Sequence, residues 1–249
     1  MKIDLENKIA LVADASNDIG KAICVQLVES GARVVGLVRN EDDISQTRAF
    51  FRKTAQDVTI YAADATVFDS CKKTIQKIEA DIGSIDIVIN NSDFIATSNF
   101  REMSQKQWAD SMNINLDGTY NLCRLISEGM TERGFGRIIN ISSMYGRKGA
   151  AGQSAYATSK SAMHGFTMAL AQEVARKGVT VNTVSPGHIK VTAVKNLSTA
   201  KANSLVAEIP ASRFGEAEEV ASLVDFLCSK QAGFITGTDI AINGGQYIH

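Results

Sequence analysis

The sequence predicts an α/β fold built on one parallel sheet, and two observations carry that prediction. Short apolar runs rich in β-branched residues alternate along the chain with longer amphipathic stretches of helical length. Runs such as Ile85–Asn90 and Arg137–Ser142 lack polar alternation, which is typical of strands buried on both faces. Because strand, helix and strand follow one another six times, we expect a doubly wound parallel sheet with helices on both faces.

Seven strands are predicted, one for each short apolar run. Each run is four to six residues long. In chain order the predicted strands are Lys8–Ala13, Arg33–Val38, Val58–Ala62, Ile85–Asn90, Arg137–Ile141, Thr180–Val184 and Asp239–Ile242.

Six helices are predicted between these strands, and one segment interrupts the alternation. The predicted helices are Ile19–Ser30, Asp42–Ala55, Val67–Ile82, Gln105–Arg133, Ala155–Lys177 and Glu216–Ser229. Segment 187–209 contains a loop and a short helix within 196–209, and it follows the sixth strand. Ligands bind beyond the carboxyl ends of the strands in such sheets. We therefore expect residues 1–249 to form a single domain with a substrate lid near 187–209.

Composition excludes several classes of function. A net charge of -1 gives no sign of a nucleic-acid or anionic-membrane partner. No apolar stretch reaches 18 residues, and charges occupy the N-terminus where a signal peptide needs an apolar run. The four cysteines form no Cys-x-x-Cys pair, so neither a metal site nor a disulfide framework is indicated. We expect a cytoplasmic protein whose cysteines are reduced core residues.

Three residues suggest a device for moving a proton. Tyr156 and Lys160 lie four apart in a predicted helix and therefore face the same way, and Ser143 precedes the tyrosine by thirteen residues. A phenol has a pKa of about 10 and releases its proton poorly near neutrality. A lysine charge beside it would lower that pKa, and a serine hydroxyl could hold a carbonyl group. This arrangement suits the reduction of a ketone or the reverse reaction.

The first strand leads into a turn and then a helix, where dinucleotide folds bind pyrophosphate at a helix N-terminus. The turn reads Ala13-Asp14-Ala15-Ser16-Asn17-Asp18-Ile19-Gly20. Together with the tyrosine, lysine and serine, this arrangement resembles the short-chain dehydrogenase/reductase family, whose turn reads Thr-Gly-x-x-x-Gly-x-Gly. The resemblance covers nearly the whole chain. It implies a Rossmann-type fold and a nicotinamide cofactor.

The turn departs from the family at two of its three glycines, which are Asp14 and Asp18 here. Aspartate tolerates a left-handed turn, so we expect Asp14 to be accommodated. Asp18 could cap the following helix and compete with a phosphate for its N-terminus. Two unit charges 4 Å apart repel by about 4 kcal/mol at an effective dielectric of about 20. Our hypothesis is that cofactor binding is weakened by about one to three decades or abolished.

The second and fourth strands carry further cofactor positions. Val38 stands where the resemblance would place the acidic residue of an NAD enzyme, and Arg39 follows it. An arginine there suits a 2′-phosphate, so the resemblance implies NADP(H). The fourth strand ends in Asn91-Ser92-Asp93, where the family has Asn-Ala-Gly. Asn91 could therefore bond between strands, whereas Asp93 adds a third unexpected carboxylate.

The resemblance assigns a tetrad to catalysis. Asn115 is expected to bend the long helix and hold a relay water, Ser143 to position the carbonyl, and Tyr156 to act as general acid. Lys160 is expected to lower the pKa of Tyr156 and to bind the nicotinamide ribose. Ser143 is preferred over Ser142 because it has the family's spacing to the tyrosine.

The resemblance also assigns residues to the cofactor and to the substrate. The expected cofactor residues are Ser16, Asn17, Ile19, Gly20, Arg39, Asp64, Asn91, Tyr156, Lys160, Pro186, Gly187 and Ile189. Substrate contacts are expected from Ser143, Gln153, Tyr156 and His188. Val191 stands where the family often has a cofactor-binding threonine, and Thr192 is one residue late. No metal site is expected.

Within the family, the stretches 132–143 and 145–187 look most like acetoacetyl-CoA reductases. Those enzymes reduce a 3-oxoacyl thioester with NADPH, so the partner implied is an acyl thioester of CoA. A 3-oxoacyl-acyl-carrier-protein reductase is the alternative, because it shares the catalytic residues. A binding or scaffold protein that has lost its hydride donor is a third reading, favoured by Asp14, Asp18, Ser92 and Asp93. The family also implies a homotetramer.

Overall fold

A seven-stranded parallel sheet forms the centre of the fold, in a computed structural model that describes residues 3–248. The strands are β1 Ile9–Ala13, β2 Arg33–Val38, β3 Val58–Ala62, β4 Ile87–Asn90, β5 Gly136–Ile141, β6 Val179–Pro186 and β7 Asp239–Ile242. Their order is β3-β2-β1-β4-β5-β6-β7, and every neighbouring pair is parallel. The predicted fold class is confirmed, and each predicted strand is present within two residues of its expected ends.

Helices cover both faces of the sheet, as parallel connections require. They are α1 Asp18–Glu29, α2 Glu41–Lys53, α3 Phe68–Asp81, α4 Gln105–Met112, α5 Gly118–Arg133, α6 Tyr145–Lys148, α7 Ser154–Val174, α8 Thr192–Lys195, α9 Thr199–Ala207 and α10 Ala217–Cys228. β1 pairs with both β2 and β4, so the direction of winding reverses between β1 and β4. A ligand crevice is expected at the carboxyl ends of the strands beside such a reversal.

Two apolar cores, one on each face, hold the site in place. Ile23 and Leu27 of α1 pack with Val220 and Val224 of α10 on one face. On the other face, side chains of α3, α5 and α7 pack together over the sheet. The four cysteines are all buried free thiols, as the sequence predicted. Burial alone raises the pKa of the Cys24 thiol, which therefore stays protonated.

The helix predicted over Gln105–Arg133 is present, but it is interrupted around Asn115, the residue expected to bend it. A π-helical segment, Asn113–Asp117, separates α4 from α5. Its centre is Asn115, which is completely buried and hydrogen-bonds across to the loop after β4. A local widening of this kind turns the side chain toward a neighbouring element, and such bulges are frequent at functional sites.

The segment 187–209 forms α8 and α9 rather than one short helix. Ile189 makes an isolated parallel bridge to Gly215, and α9 buries none of its residues. Ser198 caps α9 by accepting a hydrogen bond from the amide of Lys201. The segment therefore lies on the surface beyond β6. Within residues 3–248, no helix has the length and apolar character needed to span a bilayer.

Candidate active site

A cleft of about 560 Å³ opens at the carboxyl ends of the strands. It is lined by residues from the β1–α1 turn, the ends of β4, β5 and β6, helix α7 and the segment 187–209. Among the predicted site residues it contains Ser16, Asn17, Ile19, Asn91, Ser143, Tyr156, Lys160, Pro186, Gly187, His188 and Ile189. The fold thus gathers most of the predicted cofactor and substrate residues along one surface.

A smaller hollow of about 180 Å³ continues from this cleft between the ends of β2 and β3. Arg39 and Asp64 line it, together with Asp14, Ser16 and Asp93, three residues that the two spaces share. Among residues 3–248, Arg39 has no ion-pair partner. The Asp64 carboxylate accepts from the amide of Thr66 at 3.0 Å and from its hydroxyl at 2.7 Å.

Asp14 is accommodated in the β1–α1 turn, as expected from the tolerance of aspartate. Its φ angle is 53°, in the left-handed region. Its carboxylate accepts from the hydroxyl of Ser16 at 2.7 Å and from the side-chain amide of Asn17 at 2.9 Å. The side chain therefore folds over the turn and holds two predicted cofactor residues. Gly20 is also required, because a Cβ there would collide with the carbonyl oxygen of Asp14.

Asp18 does not cap helix α1, which corrects the expected role. Asn17 is the cap, and its side-chain oxygen accepts from the amide of Gly20 at 2.8 Å. The Asp18 carboxylate instead accepts from the amide of Thr192 at 2.5 Å and from its hydroxyl at 3.1 Å. Partial burial raises the pKa of Asp18, but these bonds and the charges of Lys195 and Lys21 outweigh burial and lower it. Asp18 therefore joins the β1–α1 turn to α8.

Asn91 links the ends of β1 and β4, as predicted. Its amide donates to the carbonyl oxygen of Asp14 at 3.2 Å and to the side chain of Asn17 at 3.0 Å. Asn91 is buried, so these bonds are shielded from water. The residue braces the turn on which a dinucleotide would lie.

The two consecutive serines after β5 have different surroundings. The Ser142 hydroxyl donates to the carbonyl oxygen of Lys160 at 2.9 Å and also contacts His164 at 2.9 Å. Ser143 accepts from the amide of Tyr145 at 3.2 Å, and it has a hydrogen bond with Tyr156 that favours the phenolate. Ser142 is thus used within the protein, whereas Ser143 lies beside the phenol.

Asp93 makes an unexpected hydrogen bond with the predicted proton donor and an ion pair with the lysine beside it. The Tyr156 hydroxyl donates to the Asp93 carboxylate at 2.9 Å. The Lys160 ammonium lies 3.3 Å from the same oxygen, and it donates to the carbonyl oxygens of Ser92 at 2.9 Å and Ile141 at 3.0 Å. A single carboxylate oxygen is therefore shared by the phenol and the ammonium.

The expectation that Lys160 lowers the pKa of Tyr156 is wrong for this arrangement. Burial raises the pKa of the phenol well above its ordinary value, and the negative charge of Asp93 raises it further. The hydrogen bond from Ser143 acts in the opposite direction but does not compensate. Asp93 also neutralises part of the lysine charge that was expected to stabilise a phenolate. In this arrangement Tyr156 is protonated, and it donates its hydrogen bond to the side chain of Asp93.

Asn115 lies behind the cleft and braces it. Its amide donates to the carbonyl oxygen of Phe94 at 3.0 Å and to the hydroxyl of Ser159 at 2.9 Å, while its oxygen accepts from the amide of Phe94 at 2.8 Å. Ser159 in turn donates to the carbonyl oxygen of Tyr156. Asn115 thus connects the loop carrying Asp93 to the helix carrying Tyr156. Its expected part in holding a relay water stays a prediction.

Of the two remaining predicted substrate residues, His188 lines the cleft and Gln153 does not. Gln153 immediately precedes α7 and does not line the 560 Å³ cleft, and its buried side-chain oxygen has no hydrogen-bond partner among residues 3–248. Its contact with substrate stays a prediction. His188 lines the cleft and bonds through its ring to Tyr145 at 2.9 Å and Gln246 at 3.0 Å.

Tyr145 and Gln246 are site residues that sequence reasoning missed. Tyr145 follows Ser143 by two residues, and that closeness to the predicted serine was the available signal. Gln246 is 58 residues from His188 in the sequence, so no local pattern connects them. Thr192 was noted as one residue late for the cofactor, and the structure shows that Asp18 uses it.

The residues of the cleft fit a nicotinamide dinucleotide, but two carboxylates that line it, Asp18 and Asp93, oppose a bound cofactor. The capped N-terminus of α1, the close approach at Gly20 and the unpaired charge of Arg39 suit phosphate groups. At the other end, the Asp93 carboxylate lies between Tyr156 and Lys160. A cofactor ribose that bonds to those two side chains would have to displace it.

Comparison with known proteins places this geometry in a family. The family model described as enoyl-(acyl carrier protein) reductase matches residues 13–246. The chain is 40% identical to the acetoacetyl-CoA reductase of Cupriavidus necator over 249 residues, covering 98% of this chain and 100% of the relative. It is 37% identical to the 3-oxoacyl-[acyl-carrier-protein] reductase of Vibrio harveyi over 246 residues, covering 99% and 100%.

A solved structure shows the same architecture. The crystal structure of gox2181 superposes with a TM-score of 0.92 at 29% identity, covering 98% of this chain and 97% of that one. The matching fold, the tyrosine–lysine pair on one helix, and the full-length relatives agree with one another. The chain therefore belongs to the short-chain dehydrogenase/reductase family.

Proposed function

We propose that this chain reduces the 3-keto group of a 3-oxoacyl thioester, with acetoacetyl-CoA as the expected substrate and NADPH as the hydride donor. The observation that carries the proposal is the meeting of Ser143, Tyr156 and Lys160 on one wall of the cleft. The names of the relatives support the substrate class, and the family's use of a nicotinamide cofactor supports an oxidoreductase.

The chain's own residues supply the acid catalysis. Ser143 donates a hydrogen bond to the 3-keto oxygen and holds it beside the Tyr156 hydroxyl. Tyr156 then gives its proton to that oxygen as negative charge develops there. Lys160 compensates the charge left on the phenol. Bound reduced nicotinamide would supply the hydride, and Arg39, Asn17 and Gly20 are among the residues that would hold the cofactor.

Two carriers of the acyl group are compatible with this site. The acyl-carrier-protein thioester is the second candidate, because a relative named for that substrate is nearly as similar as those named for acetoacetyl-CoA. Arg147 follows Ser143 by four residues and could meet CoA phosphates, but it is ion-paired with Asp239 at 2.7 Å. We therefore expect CoA recognition to come from elsewhere on the surface. Initial rates with acetoacetyl-CoA and with acetoacetyl-acyl-carrier protein will separate the two.

The preference for NADPH rests on Arg39, which lines the smaller hollow without an ion-pair partner among residues 3–248. We expect Arg39→Ala to weaken NADPH binding about ten- to hundredfold and NADH binding much less, because charge-assisted bonds to a phosphate are lost. Fluorescence titration with both nucleotides measures this. Arg52→Ala, at the far end of α2, is the matched control. Equal losses for NADPH and NADH would contradict the assignment.

We also propose that cofactor binding is impaired by Asp18 and Asp93. Asp18 lines the cleft beside the N-terminus of α1, and Asp93 occupies the hydrogen-bonding positions of Tyr156 and Lys160. A binding or scaffold role without turnover is the extreme form of this impairment. NADPH titration decides the matter: micromolar or weaker binding is expected, and a sub-micromolar Kd would contradict it.

The central test is NADPH consumption by the purified protein with acetoacetyl-CoA. We expect measurable turnover that Tyr156→Phe lowers by about two to four decades, because the proton donor is lost. An unchanged rate in that variant would overturn the assignment of Tyr156. A substrate lid at 187–209, a homotetramer and a cytoplasmic location complete the proposal.

A further inference from the structure

Three side chains form a hydrogen-bonded row beside the proton donor, and the mechanism above does not use them. The ring nitrogen Nε2 of His188 lies 2.9 Å from the Tyr145 hydroxyl. Its other ring nitrogen, Nδ1, lies 3.0 Å from the side-chain nitrogen of Gln246. The backbone amide of His188 donates to the side-chain oxygen of Gln246 at 2.8 Å.

This row fixes the direction of each hydrogen bond. Because the Gln246 oxygen accepts from a backbone amide, its NH₂ group must face Nδ1 of His188 and donate to it. Nδ1 is then the acceptor of a neutral ring, so Nε2 carries the proton and donates to the Tyr145 oxygen. Burial and the charge of Lys148 lower the pKa of His188, which favours the neutral ring despite the charge of Glu208.

The Tyr145 hydroxyl therefore keeps its own proton for another acceptor. Among residues 3–248 it has no hydrogen-bond partner other than His188. Burial raises the pKa of this phenol, and the charge of Glu208 raises it further, so it remains a donor at neutral pH. Because the Nε2–H group of His188 can only donate to the Tyr145 oxygen, the Tyr145 hydroxyl proton remains available to a ligand in the cleft.

The same contacts hold Tyr145 close to the reacting groups. Its amide donates to the Ser143 hydroxyl oxygen at 3.2 Å, and its ring packs edge-on against His188 with centroids 6.0 Å apart. Tyr145 lines the cleft together with Ser143 and Tyr156. A negative charge on an ionised Tyr145 would raise the pKa of Tyr156. Two tyrosines, Tyr145 and Tyr156, thus line the same cleft.

We propose that Tyr145 contacts the substrate and donates a hydrogen bond to the thioester carbonyl, while His188 and Gln246 act as positioning residues for it. A 3-oxoacyl thioester carries two carbonyl oxygens on carbons separated by one methylene group. Ser143 and Tyr156 serve the 3-keto oxygen, and the neighbouring Tyr145 serves the other. The inference rests on the proposed function, and it makes Tyr145 a residue that selects 3-oxoacyl thioesters over simple ketones.

The test compares two substrates that differ by that carbonyl. Acetoacetyl-CoA has it, whereas the thioether S-(3-oxobutyl)-CoA keeps the ketone and the CoA but lacks the thioester oxygen. We expect Tyr145→Phe to lower the ratio of kcat/KM for acetoacetyl-CoA to kcat/KM for the thioether by about three- to tenfold, the usual effect of one neutral hydrogen bond. If the protein binds without turnover, the ratio of dissociation constants replaces kcat/KM.

Separate outcomes report on the two proposals. If wild-type protein neither reduces nor binds acetoacetyl-CoA, the proposed function fails. If it handles acetoacetyl-CoA and Tyr145→Phe leaves the ratio unchanged, the inference alone fails. For the positioning role, we expect His188→Leu to lower the same ratio and to add little in the double variant with Tyr145→Phe. Full additivity of the two changes would show that His188 does not act through Tyr145.

Discussion

Asp93 has the largest effect of any single residue on the chemistry of the cleft. Its carboxylate accepts from the Tyr156 hydroxyl and lies 3.3 Å from the Lys160 ammonium, so it engages both members of the pair at once. The Asp93 side chain is 40% exposed, so water can replace it when it moves. The family has glycine at this position, and glycine could make none of these contacts. Asp93 thus holds the phenol of Tyr156 and raises its pKa further, beyond the larger rise that burial causes.

We expect Asp93→Asn and Asp93→Gly to raise kcat/KM with NADPH about tenfold or more, since each removes a charged competitor for Tyr156 and Lys160. Loss of the negative charge also lowers the pKa of Tyr156. Oxidation of the 3-hydroxy product requires the phenolate, so its rate should rise at a lower pH in these variants than in wild type. Initial rates measured across pH check both effects. A reduced rate, or a shift to higher pH, would show that Asp93 assists the reaction.

At the scale of elements, the β1–α1 turn and the segment 187–209 are joined through one side chain. The Asp18 carboxylate accepts hydrogen bonds from the backbone amide and the hydroxyl of Thr192, which is the first residue of α8. The pKa of Asp18 is lowered in the folded protein. The stability that the ionised Asp18 contributes is therefore fully present above the ordinary carboxyl pKa, and it is lost as pH falls through the lowered pKa. At neutral pH Asp18 is therefore ionised, and its hydrogen bonds to Thr192 are intact.

Removing the hydrogen bonds between Asp18 and Thr192 should increase local opening of α8 without unfolding the protein. We expect Asp18→Ala to speed amide hydrogen exchange at 192–195 and to tighten NADPH binding about tenfold or more, because a negative charge leaves the phosphate side of the cleft. Ser198→Ala is the control, since it removes the cap of α9 on the same segment without touching Asp18. Unchanged exchange together with weaker NADPH binding would mean that Asp18 supports the cofactor site.

At the scale of the whole molecule, three helices on one face carry exposed apolar side chains. Trp108 of α4 is 41% exposed, Tyr120 of α5 is 50% exposed and Met168 of α7 is 52% exposed. Single apolar side chains are common on protein surfaces, but aromatic residues and methionine are enriched in interfaces. We therefore take these three helices as the place to test the tetramer that the family resemblance implies.

We expect light scattering to give a mass about four times the 26.7 kDa of one chain. Tyr120→Asp and Met168→Asp should lower that mass, because each would bury an unpaired charge in the interface. Val67→Asp, at a 48% exposed apolar residue outside these three helices, should leave it unchanged. A monomer in the wild-type protein would contradict the tetramer, and an unaffected mass in both variants would move the interface elsewhere.

Several features of the site were open to prediction because they depend on local sequence. The strand ends, the position of Ser143 after β5 and the shared face of Tyr156 and Lys160 follow from periodicity along one element. The left-handed Asp14 also follows from the nature of that residue. The bend at Asn115 was expected only from the family resemblance, because the local sequence does not show the hydrogen bonds to Phe94 that accompany it.

The sequence by itself determined the parallel sheet, the position of its strands along the chain and the edge at which the chemistry lies, because buried apolar runs and connection rules leave few alternatives. Only the tertiary structure decided what the polar side chains at that edge do. Asp93 reaches Tyr156 across 63 residues, Asp18 reaches Thr192 across 174, and His188 reaches Gln246 across 58. The energies of charges and hydrogen bonds depend on distance in space and on burial, and the chain sets neither until it has folded.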